Sequence, residues 1–184
     1  MIVVSRDNDE QLLLGEWACL GLIYPSATHG FAVAARLKPS GDVGRVWSLS
    51  RPLTYRSLDQ LTARGYIHAI GSEPGIAGGN RTILAATRSG RAQLRKWLHT
   101  PVAHVRDVRS ELLLKLVIAD ICNIDVSDML AEQLALLETI VGSLTVTDDV
   151  SGGDVVTLWR AESSLAALRF VQRLAKSRVG AGTS

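Results

Sequence analysis

Two cysteines, Cys19 and Cys122, are all that this 184-residue chain contains. That number is too small for a disulfide framework, and no C-x-x-C pair is present. Both lie in apolar, helix-like runs, where buried free thiols are expected. Long hydrophobic runs are also lacking: none approaches the ~18 residues of a membrane span. The first residues, MIVVSRDNDEQ, have no basic segment followed by an apolar core, so no secretory signal is expected and the cytoplasm is the expected location. Histidines stand only at 29, 68, 99 and 104. None forms an i, i+3 or i, i+4 pair or has a Cys or carboxylate at ligand spacing, so no metal site is expected. The chain has no G-x-x-x-x-G-K-[ST], no G-x-G-x-x-G leading into a helix, no G-x-S-x-G and no nucleophile–base set. An enzyme and a bound cofactor are therefore not expected.

What is present is unevenly distributed. Hydrophobic residues make up 47% of the chain, which places it among globular proteins rather than disordered tails. The net charge of +2 conceals an asymmetry. Residues 1–100 carry 12 Lys/Arg against 7 Asp/Glu, whereas residues 101–184 carry 8 against 11. Within 51–96 the balance is 8 basic to 2 acidic, a pattern that points to a polyanionic partner.

Periodicity and punctuation give a mainly α chain with a small β wing. Residues 11–24, QLLLGEWACLGLIY, read as a buried helix ended by Pro25. FAVAARLK (31–38) is a brief amphipathic helix, and PSGDVG (39–44) a loop. Ser50 is an N-cap, Pro52 fits the first turn and Gly65 is a stop, which bounds a helix from Arg51 to Arg64. A strand over 66–70, a glycine-rich loop over 71–80 and a strand over 81–86 follow. Thr87 caps a helix closed off by Pro101. This is the order of a winged helix-turn-helix. The second half reads as helices over Val105–Ile121, from Ser127 as cap, and over Thr157–Arg178, with a loop at 147–154. Met129, Leu130, Leu134, Leu137, Ile140 and Val141 form an apolar stripe; Leu158, Leu165, Leu168, Val171 and Leu174 form another. The expected organisation is a DNA-binding domain over 1–100 and a helical dimerisation region over 101–184.

At ~100° per residue, Thr54, Ser57, Leu58 and Leu61 gather on one side of the 51–64 helix. Pro52, Arg56, Asp59 and Ala63 lie opposite, with Arg51 and Tyr55 flanking the outer face. A helix presented to the DNA major groove needs this layout, with base contacts near its N-terminus. Arginine can grip guanine in a bidentate fork, and tyrosine can donate to phosphate or lie against a thymine methyl. Asp59 can accept from cytosine or pair with Arg56 or Arg64. Asn80 and Arg81 stand at the wing's end, followed by Arg88, Arg91, Arg95 and Lys96. His29 is either a capping and packing residue or a contact to the phosphate backbone. Glu16, inside an apolar helix, reads best as a helix-end carboxylate that reaches solvent.

Together these residues resemble the PadR family of transcriptional regulators. The resemblance rests on LLLGEWACLGLI; on His29-Gly30-Phe31; on Trp47 and Ser50; and on Tyr55, Leu58, Leu61, Gly65, Tyr66 and Ile67. It continues through Thr87, Gly90 and Arg91 to Trp97-Leu98, covering about residues 11–98. RSELLLKLVIAD resembles, more loosely, the helix after the winged domain in the same family. The departures are Pro52 in place of a common Gly, Thr54-Tyr55-Arg56 in place of Leu-Tyr-Pro, Leu58-Asp59-Gln60-Leu61-Thr62, and Ile83-Leu84 where the wing usually has an aromatic. They imply a different operator or a weaker grip on it.

The resemblance implies a homodimer on double-stranded DNA, with repression as the default. It also implies release by a small, often aromatic, ligand. Trp17 and Trp159 are the candidates for a flat-ligand pocket, against the alternative of core packing. The DNA-binding candidates are His29, Ser50, Arg51, Pro52, Tyr55, Arg56, Asp59, Asn80 and Arg81. The competing reading is a winged-helix protein–protein interaction module without specific DNA binding.

Overall fold

The computed structural model describes residues 11–74, 79–147 and 154–181. The described residues fall into two compact units. One holds those up to Arg95 together with Asp120–Asn123; the other holds Lys96–Ala119 and those from Ile124 onward.

The first unit contains α1 (Leu14–Ile23), β1 (Thr28–His29), α2 (Gly30–Arg36), α3 (Arg51–Ala63), β2 (Ile67–Pro74), β3 (Asn80–Ala86) and most of α4 (Arg88–Leu98). α1 is buried from Gly15 to Ile23, as its nearly unbroken apolar sequence requires. The Glu16 carboxylate does not reach solvent. It is buried and accepts the Leu13 backbone N–H at 2.9 Å, satisfying a donor at the helix start. α3 lays Thr54, Leu58 and Leu61 into the core beside α1 and α2, while Ser57 is half-buried. Its C-terminus closes as a Schellman motif. Tyr66 N–H bonds to the Leu61 carbonyl at 2.9 Å and Gly65 N–H to Thr62 at 3.0 Å. Gly65 adopts φ +70°, which glycine alone takes without strain.

The sheet is antiparallel in the order β1-β3-β2. Two features differ from the sequence reading. β1 is an added two-residue strand that sets Thr28 opposite Leu84 and His29 opposite Ile83. The expected loop over 71–80 is shorter, because Gly71–Pro74 belong to β2 and Asn80 to β3. A register shift between Ala69 and Gly71 leaves Ile70 as the extra residue of a bulge. Pro74 is tolerated at the end of an edge strand, opposite Asn80. The wing tip, 75–78, lies outside the described residues.

Thr87 caps α4 by accepting the Gly90 N–H at 3.0 Å, and its hydroxyl reaches the Gly65 carbonyl at 2.8 Å. A Cβ on Gly90 would fall 2.1 Å from the Tyr66 carbonyl oxygen, so only glycine lets α4 approach the α3–β2 junction this closely. Cys19 is buried, and burial with nearby Glu16 pushes its thiol up to about 12. Cys122 is only half-buried; its Sγ lies 3.4 Å from the Gly21 carbonyl, and burial pushes it up to about 11. Burial thus disfavours the thiolate form of both.

The second unit holds α5 (Val105–Asp107), a π-helical turn (Val108–Leu112), the first part of α6 (Leu113–Cys122), α7 (Ser127–Thr147) and α8 (Val155–Ala181). The single helix expected over 105–121 is thus broken by a π turn. Lys115, on α6, is 1% exposed. Its Nζ lies 2.9 Å from Glu111, donates to the Thr100 carbonyl at 2.5 Å and sits 5.1 Å from the Trp97 ring centre. Trp97 Nε1 donates to the same Glu111 carboxylate at 3.0 Å. Gln133 pins Val102 twice, accepting its N–H at 2.7 Å and donating to its carbonyl at 3.1 Å. Ser127 is the first helical residue of α7 rather than its cap; Asp125 accepts from its N–H at 3.0 Å and its hydroxyl at 2.6 Å. Of the two stripes, Met129, Leu130, Leu137 and Val171 are buried, whereas Leu158 is exposed. α7 and α8 pack together, and residues 148–153 between them lie outside the described residues.

Candidate nucleic-acid interface

The outward face of α3 begins at its cap. Ser50 Oγ accepts the Leu53 N–H at 3.4 Å and its carbonyl accepts the Thr54 hydroxyl at 3.0 Å. Pro52 occupies the first turn, where a missing N–H removes no helical bond. With Thr54, Leu58 and Leu61 committed to the core, Arg51, Pro52, Tyr55, Arg56 and Asp59 are all exposed. Four of these, Arg51 to Arg56, occupy the first two turns.

Strand pairing brings a second group to the same end of the helix. His29 ends β1 and caps α2, its Nδ1 accepting the Ala32 N–H at 3.1 Å. Gly30 is buried where a Cβ would stand 3.0 Å from Tyr55 Cε1, so α2 and α3 meet closely there. Phe31, next in the chain, is 48% exposed. The guanidinium of Arg51 lies 5.5 Å from its ring centre and that of Arg81 lies 5.6 Å from it. Arg51 is also 5.7 Å from the Tyr55 ring centre, and Arg81 Nη1 is 3.5 Å from His29 Nε2. Two cations thus share one exposed aromatic ring, flanked by a histidine and a tyrosine. Such a surface offers fixed positive charge and flat apolar area to a polyanion.

The structure therefore gathers His29, Arg51, Tyr55 and Arg81. Ser50 and Pro52 frame the helix start. Arg56 and Asp59 are exposed further along the same face. Asn80 is exposed at the start of β3, opposite Pro74. Phe31 is the residue that the sequence reading left out of the site. Its signal was its position after His29-Gly30, at the exposed first turn of an otherwise apolar helix. Two of the four cations of α4 lie against Tyr24. Arg91 stacks 4.7 Å from the ring centre of buried Tyr24, and Arg95 Nε donates to the Tyr24 hydroxyl at 2.7 Å. Of the two ligand candidates, Trp17 is buried in α1 of the first unit, and Trp159 is 71% exposed on α8 of the second.

The element order, the sheet and the outward α3 define a winged helix-turn-helix followed by a helical region. No family model and no curated protein matches the chain. Solved structures are similar to it. The crystal structure of Bacillus subtilis PadR in complex with operator DNA aligns at a TM-score of 0.43 and 20% identity, covering 88% of this chain and 97% of that one. The same protein in complex with p-coumaric acid aligns at 0.41 and 19% identity, covering 90% and 96%. A PadR-like transcriptional regulator from Bacillus cereus aligns at 0.40 and 18% identity, covering 91% and 97%.

Proposed function

We propose that the chain is a sequence-specific DNA-binding transcriptional regulator, a repressor that acts as a homodimer on a pseudo-palindromic promoter site. The observation that carries this reading is the cluster on the outward face of the winged unit. Exposed Arg51 and half-buried Arg81 both lie against the exposed Phe31 ring at the N-terminal end of α3. α3 enters the major groove, with Arg51, Tyr55, Arg56 and Asp59 toward base edges and phosphates. The wing, with Asn80 and Arg81, follows the backbone or the minor groove.

Dimerisation through the C-terminal helices is supported by exposed apolar residues at the start of α8. Val155, Val156, Leu158 and Trp159 are all more than half exposed, an unusual grouping for a helix with no further partner. Small aromatic ligands are the effectors that the motif resemblance favours, with Trp17 and Trp159 as candidate contacts. The cytoplasm, where such a regulator meets DNA, is the proposed location.

Arg56→Ala tests the reading of bases. If Arg56 grips a base, the variant loses roughly 1–3 kcal/mol on the operator and discriminates less at one position. A loss that is uniform across duplexes assigns it to phosphate, and no loss on any duplex removes it from the interface.

A further inference from the structure

His29 faces N–H donors at both ring nitrogens. Its Nδ1 accepts the Ala32 backbone N–H at 3.1 Å. A neutral imidazole that accepts through Nδ1 carries its proton on Nε2. Nε2 lies 3.5 Å from Nη1 of Arg81, and a guanidinium nitrogen only donates. With the proton on Nε2, two N–H donors converge there. Protonating the ring does not relieve this arrangement, because Nε2 stays a donor and the Nδ1 acceptor that caps α2 is lost. Both groups are held in place. The pairing of His29 with Ile83 fixes the histidine against β3, and the Phe31 ring supports the Arg81 guanidinium from a centre 5.6 Å away.

We propose that His29 Nε2–H and Arg81 Nη1–H form a twin-donor clamp for a single anionic oxygen, a non-bridging phosphate oxygen of the DNA backbone. The proposal rests on the DNA-binding reading for the source of that oxygen. Converging donors, one of them cationic, match a phosphate oxygen, which accepts from several N–H groups at once. The clamp carries no base information. It sets the register of the wing side of the unit on the backbone while α3 reads the groove.

The test uses the full chain with His29→Asn, Arg81→Gln and the double variant. Asparagine is a favoured N-cap, so α2 keeps its acceptor while the Nε2–H is lost. Nitrogen-15 spectra of the wild-type imidazole should show the proton on Nε2, and inorganic phosphate should shift that signal; a proton on Nδ1 overturns the clamp. In duplex titrations each single variant should bind about tenfold more weakly, alike on operator and scrambled DNA. The double variant should lose less than the two singles combined, because both donors share one oxygen. If the wild type binds duplex and both variants match it, the clamp fails while the DNA-binding reading stands. If inorganic phosphate shifts the wild-type His29 signal but no duplex binds, the DNA-binding reading fails and the anion clamp stands.

Discussion

The guanidinium of Arg81, on the wing strand β3, lies 5.6 Å from the ring centre of Phe31, on α2. Arg51 of α3 shares the same ring from 5.5 Å. Arg51 and Arg81, 30 positions apart in the chain, on a helix and the wing, are thereby positioned by one exposed aromatic. Phe31→Ala removes that support without opening a core cavity. Thermal stability should fall by about 1–2 kcal/mol, because two exposed cation–π contacts worth ~0.5–1 kcal/mol each are lost. Duplex affinity should fall about three- to tenfold, because neither guanidinium is then held in place before binding. Parallel melting and anisotropy titrations check both; unchanged affinity would remove the stack from the interface.

Gly90→Ala should be severe. Its Cβ would sit 2.1 Å from the Tyr66 carbonyl oxygen, a backbone atom that can yield only by moving the α3–β2 junction. A loss of roughly 1–3 kcal/mol is expected from such overpacking, read by urea unfolding. Gly71→Ala is the control: nothing lies within 4 Å of its Cβ, so the change should stay below about 1 kcal/mol.

Lys115→Met should also destabilise the chain. The ammonium is buried, and burial holds it below the usual lysine range despite the pairing with Glu111. Removing it leaves Glu111 with only the Trp97 donor and takes a donor from the Thr100 carbonyl, at about 1–3 kcal/mol. Lys115→Met combined with Glu111→Gln should recover much of that loss, because the amide stays neutral and can still accept from Trp97. Chemical denaturation of the single and double variants decides it; a double variant as weak as the single contradicts this account of the pair.

Arg36 holds the Asp42 carboxyl below the usual carboxylate range through paired hydrogen bonds. A carboxylate depressed on folding contributes stability above its unfolded value of ~3.9, and loses it as pH falls through the lower folded value. Both side chains are well exposed, so the contribution is at most about 1 kcal/mol. Asp42→Asn should lower the melting point by about 1–3 °C at pH 7. The gap from wild type should close as acid protonates Asp42. A gap that persists at low pH would place the effect outside this pair.

The buried face of α3 was legible because its apolar spacing follows one period and its ends are marked by Ser50, Pro52 and Gly65. Thr87 and Gly90 were visible as a motif, and their reason, a helix start pressed against the Tyr66 carbonyl, needed the fold. Glycine and proline made 71–74 read as loop. An edge strand with a bulge accepts both, and only the pairing with β3 shows it. β1 has two residues and no pattern to detect. Phe31 and Arg81 are far apart in the chain, so their shared surface had no local signal. Lys115 lay hidden in an apolar run, where one lysine reads as a solvated side chain until Glu111, Thr100 and Trp97 are found around it.

The proposed function is specific DNA binding by the winged unit. The most direct measurement is anisotropy titration of the purified full chain with its own upstream promoter duplex and a scrambled duplex, at two salt concentrations. Tight, selective binding that weakens steeply with salt is the result predicted. Equal and weak binding to both duplexes would contradict it and favour a protein-interaction module instead.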